Sequence, residues 1–117
     1  MGYLEFCSNC GENNRFGEKD GNKRYFCSQC STIHYENPKP TATLICMHQN
    51  QLLLVKRAVD PGKGMWGLPG GFIERGETPE MGAQRELLEE TNLQGSVSNL
   101  LGTCSHFNTI FGDILLM

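Results

Sequence analysis

The chain has 117 residues, 38% of them hydrophobic, enough for one ordinary domain or for a small module in front of a compact one, but not for a large core. No apolar run approaches the ~18 residues of a membrane span. Residues 1–20 contain Glu5, Glu12 and Glu18 and lack an apolar signal segment, so the plain reading is a soluble, cytoplasmic protein without a membrane partner. The net charge of −3 argues against nucleic acid as a partner.

Residues 1–36 are polar and cysteine-rich, with turn signals at Asn13–Asn14 and Asp20-Gly21-Asn22, and residues 1–40 set five basic against five acidic side chains. Cys7-Ser-Asn-Cys10 and Cys27-Ser-Gln-Cys30 are two CxxC pairs sixteen residues apart, the spacing of a four-thiolate zinc site made by two tight knuckles. A segment this small has too little core to fold alone, so the metal supplies folding free energy. A thioredoxin-like CxxC needs a βαβ context that is absent, and two disulfides suit a secreted chain. Four cysteines leave no open coordination position, so the zinc is structural. Zinc ribbons also bind nucleic acid or partners, but the neutral charge favours simple scaffolding. Cys46 and Cys104 fall in predicted strands and read as buried small hydrophobes. His34, His48 and His106 are isolated and are assigned no metal.

The composition changes near residue 40. Asn37-Pro38-Lys39-Pro40 reads as an extended connector, because each proline biases the preceding residue away from helix. Residues 1–36 are thus a ribbon, 37–40 a connector and 41–117 a second domain. Thr41–Met47 and Gln51–Val55 are β-rich runs that read as a hairpin around His48-Gln49-Asn50. Residues 60–71 are loop-like, with five glycines and two prolines. A helix follows: Thr78 caps it, Pro79 suits its first position, Glu80 favours the positive end of its dipole, and it runs to about Thr91. Ala83 and Leu87 lie on its inward stripe, and Asn92 is a left-handed terminator. Residues 96–107 and 113–117 read as further strands around a turn at Asn108–Gly112.

The acidic excess lies downstream of residue 40, and Gly71–Leu93 alone holds six acids against two arginines. On a helix Glu86 and Glu90 are four apart and share a face ~6 Å apart along the axis. Glu89, three beyond Glu86, borders that face. Three like charges this close need an offset, and Arg85 cannot neutralise them all. Hard divalent cations prefer such oxygen ligands and retain waters and substrate phosphates. The alternative is a solvated acidic face.

Gly71, five residues, Glu77, seven residues, then Arg85-Glu86-Leu87-Leu88-Glu89-Glu90-Thr91-Asn92-Leu93 resembles the Nudix box over twenty-three positions, and the preceding Trp66-Gly-Leu-Pro69-Gly70-Gly71 is also similar to that family. The one departure is Asn92, where the box has glycine; asparagine tolerates the left-handed conformation, so the departure is mild. The ribbon followed by Ile33-His-Tyr-Glu-Asn-Pro-Lys-Pro40 resembles the zinc-ribbon group of the family. The resemblance implies an α+β chain with an α/β/α sandwich. It implies that Glu86, Glu89 and Glu90, with the Gly71 carbonyl, bind magnesium or manganese. Glu77 and Arg85 would pair to stiffen the loop–helix–loop. The metal would polarise a phosphoryl oxygen and activate a water, oriented by Glu89 or Glu90, for attack on one phosphorus of a diphosphate. Arg57 is a candidate phosphate contact or a plain surface arginine.

The implied substrates are small nucleotides, FAD or ADP-ribose first. NADH is disfavoured, because residues 94–117 lack the Ser-Gln-Pro-Trp-like motif of NADH pyrophosphatases. Competing readings are a nucleoside triphosphate pyrophosphohydrolase and an inactive nucleotide- or RNA-binding module. The chain stops in the apolar run Ile114–Met117, short of the later elements the family implies. The expectation is a fragment, then a chain completed by its neighbour in a homodimer, then a degenerate copy.

Overall fold

The computed structural model describes residues 4–109 and 111–117. It contains two compact units, one ending at Asn37 and one running from Pro38 to Met117. Among the described residues no helix is long and apolar enough to cross a membrane.

In the first unit β1 (Arg15–Lys19) and β2 (Asn22–Phe26) form an antiparallel hairpin, and β3 (Ile33–His34) pairs with the far edge of β2. Asp20 and Gly21 take φ of 52° and 80°, the successive positive values of a tight hairpin turn that Asp-Gly accommodates. The sequence announces this turn. It does not announce the strands, because both alternate faces of β1 and β2 carry charged residues and no apolar period stands out.

The second unit holds β4 (Lys39–Thr43), β5 (Met47–His48), β6 (Gln51–Leu52), β7 (Val55–Lys56), β8 (Trp66–Gly67), β9 (Gly70–Phe72), α1 (Pro79–Thr91), β10 (Cys104–Thr109) and β11 (Gly112–Leu116). Four of these strands make a mixed sheet in the order β10-β11-β4-β9, with β11 parallel to β4 and the other pairs antiparallel. β5–β6 and β7–β8 are separate two-stranded ribbons. The helix α1 packs on β9 and β4.

Several boundaries differ from the sequence expectations. Lys39 and Pro40, expected as connector, already belong to β4, and the Pro40 carbonyl accepts the Ile73 N–H at 3.0 Å. The expected hairpin shrinks to Met47–His48 against Gln51–Leu52, across Gln49 and Asn50 at φ 49° and 62°. Residues 60–71, expected as loop, contain β8 and the start of β9. Residues 96–103 are not strand; β10 begins at Cys104. Cys104 is exposed and Cys46 only half-buried outside any strand, so the reading of both as buried small hydrophobes does not hold.

The helix follows its local signals. Thr78 is the N-cap, its Oγ1 accepting the Met81 N–H at 3.1 Å, with Pro79 in the first turn. Asn92 closes it in the left-handed region at φ 59°, its N–H donating to the Leu88 carbonyl at 2.8 Å. Gly82, Ala83 and Leu87 form the buried stripe, facing a core that includes Thr41, Ala42 and Pro69. Burying one leucine side chain contributes roughly 2 kcal/mol, so Leu87 fixes the helix to the sheet.

Candidate active site

The segment from β9 through α1 is organised by one guanidinium. Arg85 Nε donates to Glu77 Oε1 at 2.5 Å and Nη2 donates to Glu77 Oε2 at 3.0 Å, a two-pronged pair. Nη2 also reaches the Phe72 carbonyl at 2.9 Å, and Nη1 reaches Glu86 Oε1 at 2.8 Å and Glu89 Oε2 at 3.3 Å. Arg85, with the Glu74 N–H donating to Glu77 at 2.9 Å, holds the Glu77 carboxyl at about 2, well below its usual range. The same partners, Glu77 first and Glu86 next, raise the Arg85 pKa. Strand end, loop and helix are thereby tied at one point.

Three of the four carboxylates of α1, those of Glu86, Glu89 and Glu90, have different surroundings. Glu86 lies against β9: a Cβ on Gly71 would fall 2.5 Å from its carboxyl carbon, so the carboxylate keeps this place only while residue 71 has no side chain. Glu90 Oε2 accepts the Gly70 N–H at 3.2 Å. Gly70 needs its own lack of Cβ for a second reason, the close approach of the Ala42 carbonyl on β4. Glu89 is 57% exposed. Burial, then the charges of Glu86 and Glu89, push the Glu90 pKa up, against the Gly70 N–H and Arg57, which pull it down. Arg57 is therefore within electrostatic reach of Glu90, while its Nε donates to the Pro61 carbonyl.

Sequence reasoning left the polar backbone of Gly70, Phe72 and Glu74 without a role. The signal for the first was the glycine pair itself; the Phe72 carbonyl meets Arg85 only once α1 docks, and the Glu74 N–H meets Glu77 within the intervening loop.

In the first unit the four sulfurs of Cys7, Cys10, Cys27 and Cys30 lie within 4.8 Å of one another, the one such group of three or more ligand side chains among the described residues. Cys7 and Cys30 sulfurs are 3.6 Å apart and those of Cys10 and Cys27 3.5 Å, near the roughly 3.8 Å that tetrahedral bonds of ~2.3 Å require. All are free thiols rather than disulfides. The first knuckle turns through Gly11 at φ 84°, whose N–H donates to the Cys7 carbonyl at 2.9 Å. The Thr32 hydroxyl, 3.0 Å from the Cys30 sulfur, and then the Asn9 amide bring the Cys30 thiol down to about 5, whereas at Cys10, against the pull of the Glu12 backbone, the neighbouring thiols, Cys27 first, push the thiol up to about 12.

Residues 38–113 match the family model described as NUDIX domain. The chain belongs to the Nudix family. Residues 5–36 match a second model, the Nudix N-terminal zinc ribbon, so the four-cysteine unit is the ribbon domain that precedes the Nudix fold. The chain is 45% identical over 71 residues to an ADP-ribose pyrophosphatase of Methanocaldococcus jannaschii, covering 61% of this chain and 42% of that protein. It is 34% identical over 95 residues to an NAD-capped RNA hydrolase of Vibrio parahaemolyticus, covering 77% of this chain and 34% of that one. The crystal structure of a Nudix hydrolase from Nitrosomonas europaea superposes with a TM-score of 0.83 at 38% identity, over 97% of this chain and 65% of the other. The chain thus spans between a third and two thirds of the lengths of these relatives.

Nudix enzymes use divalent metals, and the residues present suit one. Glu86, Glu89 and Glu90 are hard oxygen donors; burial first, and then the charges of Glu86 and Glu89, raise the Glu90 pKa, and Arg85 already shares its charge with Glu77. Glycine at 71 lets the β9 backbone lie close to the Glu86 carboxylate.

Proposed function

We propose that this chain carries the catalytic module of a Nudix pyrophosphatase that cleaves a nucleoside diphosphate linked to another moiety, of the ADP-ribose or FAD class. The observation that carries the reading is the seating of Glu86 and Glu90 on the paired glycines of β9, beside an Arg85–Glu77 clamp. Glu86, Glu89 and Glu90, with the Gly71 carbonyl, hold magnesium or manganese. The cation, when bound, neutralises phosphate charge and activates water. Glu89 or Glu90 orients the attacking water and takes up its proton. A new P–O bond forms at one phosphorus while the bridging P–O bond breaks, giving two monophosphates. Arg57, close enough to lower the Glu90 pKa, contacts a substrate phosphate.

Zinc fills the four-thiolate site and has a structural part only. Adenosine diphosphate substrates are favoured because both named relatives act on molecules of that chemistry, ADP-ribose in one case and an NAD cap in the other. The second relative keeps a dinucleotide cap in play beside free dinucleotides. A test offers ADP-ribose, FAD, NADH and nucleoside triphosphates in parallel with magnesium and follows product formation. The reading expects two monophosphates from ADP-ribose or FAD, and a loss of at least a hundredfold in Glu90→Gln. Undiminished turnover in Glu90→Gln, or exclusive release of pyrophosphate from triphosphates, contradicts it.

A further inference from the structure

The neutral balance of residues 1–40 conceals an excess of positive charge on one face of the ribbon sheet. Residues paired across antiparallel strands point the same way, and neighbours along a strand alternate. The register Arg15↔Phe26, Gly17↔Arg24, Lys19↔Asn22 and Phe26↔Ile33 therefore puts Arg15, Lys19, Arg24 and Phe26 on one face. Tyr35, two residues beyond Ile33, joins them. The contacts agree with this assignment. Lys19 Nζ lies 4.5 Å from the centre of the Phe26 ring, and Arg24 Cζ lies 4.7 Å from the centre of the Tyr35 ring. Glu18 and Lys23 pair on the opposite face, where Phe16 and Tyr25 rings sit 4.8 Å apart.

The cations of the first face are not neutralised. Every salt bridge among the described residues belongs to Arg85, so Arg15, Lys19 and Arg24 have none there. Arg24 Nε is enclosed without a hydrogen-bond partner. The acid at the rim is Asp20, which accepts a hydrogen bond from the Tyr35 hydroxyl at 3.1 Å. Tyr35 is 55% exposed, with Arg24 against one side of its ring. Beside Lys19 and Phe26 the surface dips into a concavity bordered by Cys27 of the four-cysteine cluster and by Ser28, Ser31 and Ile33.

We propose that this face binds single-stranded nucleic acid. Arg15, Lys19 and Arg24 meet backbone phosphates, a base stacks on the free side of Tyr35, and the concavity beside Phe26 receives a neighbouring base. Unpaired cations interleaved with an exposed ring suit a strand whose bases are free to stack, since every base has a π-face and every nucleotide a phosphate. A duplex offers the phosphates without the base faces, and an acidic peptide offers charge without stacking.

The test measures fluorescence anisotropy of a labelled adenine-rich 12-nucleotide RNA with the whole zinc-loaded chain, with DNA of the same sequence in parallel and with the matching duplex and phosphatidylserine vesicles as competitors. Three phosphate contacts predict a log–log salt slope of about −2 for a single strand. Arg15→Ser with Lys19→Ser should weaken binding at least tenfold at 50 mM salt and bring the slope to about −0.7. Tyr35→Ala should weaken it about tenfold with the slope unchanged, as loss of one stacked base implies. Equal binding of RNA and DNA supports a site reading phosphate and base face; a preference supports it and names the source. Zinc content and thermal unfolding confirm that each variant keeps its fold. No binding of either single strand, preference for the duplex or for phosphatidylserine vesicles, or folded variants that bind as tightly as the parent would overturn the proposal.

Discussion

Arg85 meets Glu77, Glu86, Glu89 and the Phe72 carbonyl at once, so the loop, the strand end and the helix depend on one side chain. Glu77 is its principal partner, and that pairing has a pH signature. The folded Glu77 carboxyl sits at about 2, below its ordinary 4.5. Its stabilisation is therefore complete above about pH 4.5 and is lost as pH falls towards 2. Glu77→Gln should lower the melting temperature at pH 6, and the gap to the parent should close in thermal scans taken towards pH 2. A gap of constant size across that range would contradict the pairing. Gly71 makes a different demand. Alanine there would place a methyl 2.5 Å from the Glu86 carboxyl carbon and displace the carboxylate. Gly71→Ala should weaken divalent-metal binding by about tenfold or more, read by calorimetric titration with manganese, because a ligand displaced from its support costs on that scale.

The elements divide into those whose causes are local and those whose causes are distant. Thr78, Pro79 and Asn92 act within a few residues of themselves, so both ends of α1 were readable from the sequence, as was the Asp20–Gly21 turn. The cysteine spacing and the carboxylate spacing were legible for the same reason. Strands β8 and β9 were not, because Gly67, Pro69, Gly70 and Gly71 carry the marks of a loop. Their strand character comes from pairing with β7 and β4, and Gly70 is needed because β4 comes so close. The Arg85 contact to the Phe72 carbonyl and the Glu90 contact to the Gly70 N–H were hidden likewise, since they exist only after α1 docks. Urea denaturation checks the local causes. Thr78→Ala should cost about 1 kcal/mol, Asn92→Gly should stay within about 0.5 kcal/mol, and Leu87→Ala should cost about 2–5 kcal/mol.

At the scale of the whole molecule, the two units carry different donor sets, four cysteine sulfurs ahead of Asn37 and the carboxylates of α1 after it. Cys27→Ser should therefore abolish stoichiometric zinc and unfold β1–β3 while α1 keeps its helical signal, as circular dichroism and zinc analysis together would show. Glu90→Gln should leave the metal-free fold intact or slightly firmer, because it removes repulsion from Glu86 and Glu89. Glu86, Glu89 and Glu90 are proposed to form a divalent-cation site on α1 where it packs on β9. The most direct measurement is manganese binding followed by electron paramagnetic resonance, comparing the zinc-loaded chain with Glu86→Gln, Glu89→Gln and Glu90→Gln. Saturable binding in the parent that weakens at least tenfold in each variant is the predicted result. Binding that is absent in the parent, or unchanged in all three folded variants, would contradict it.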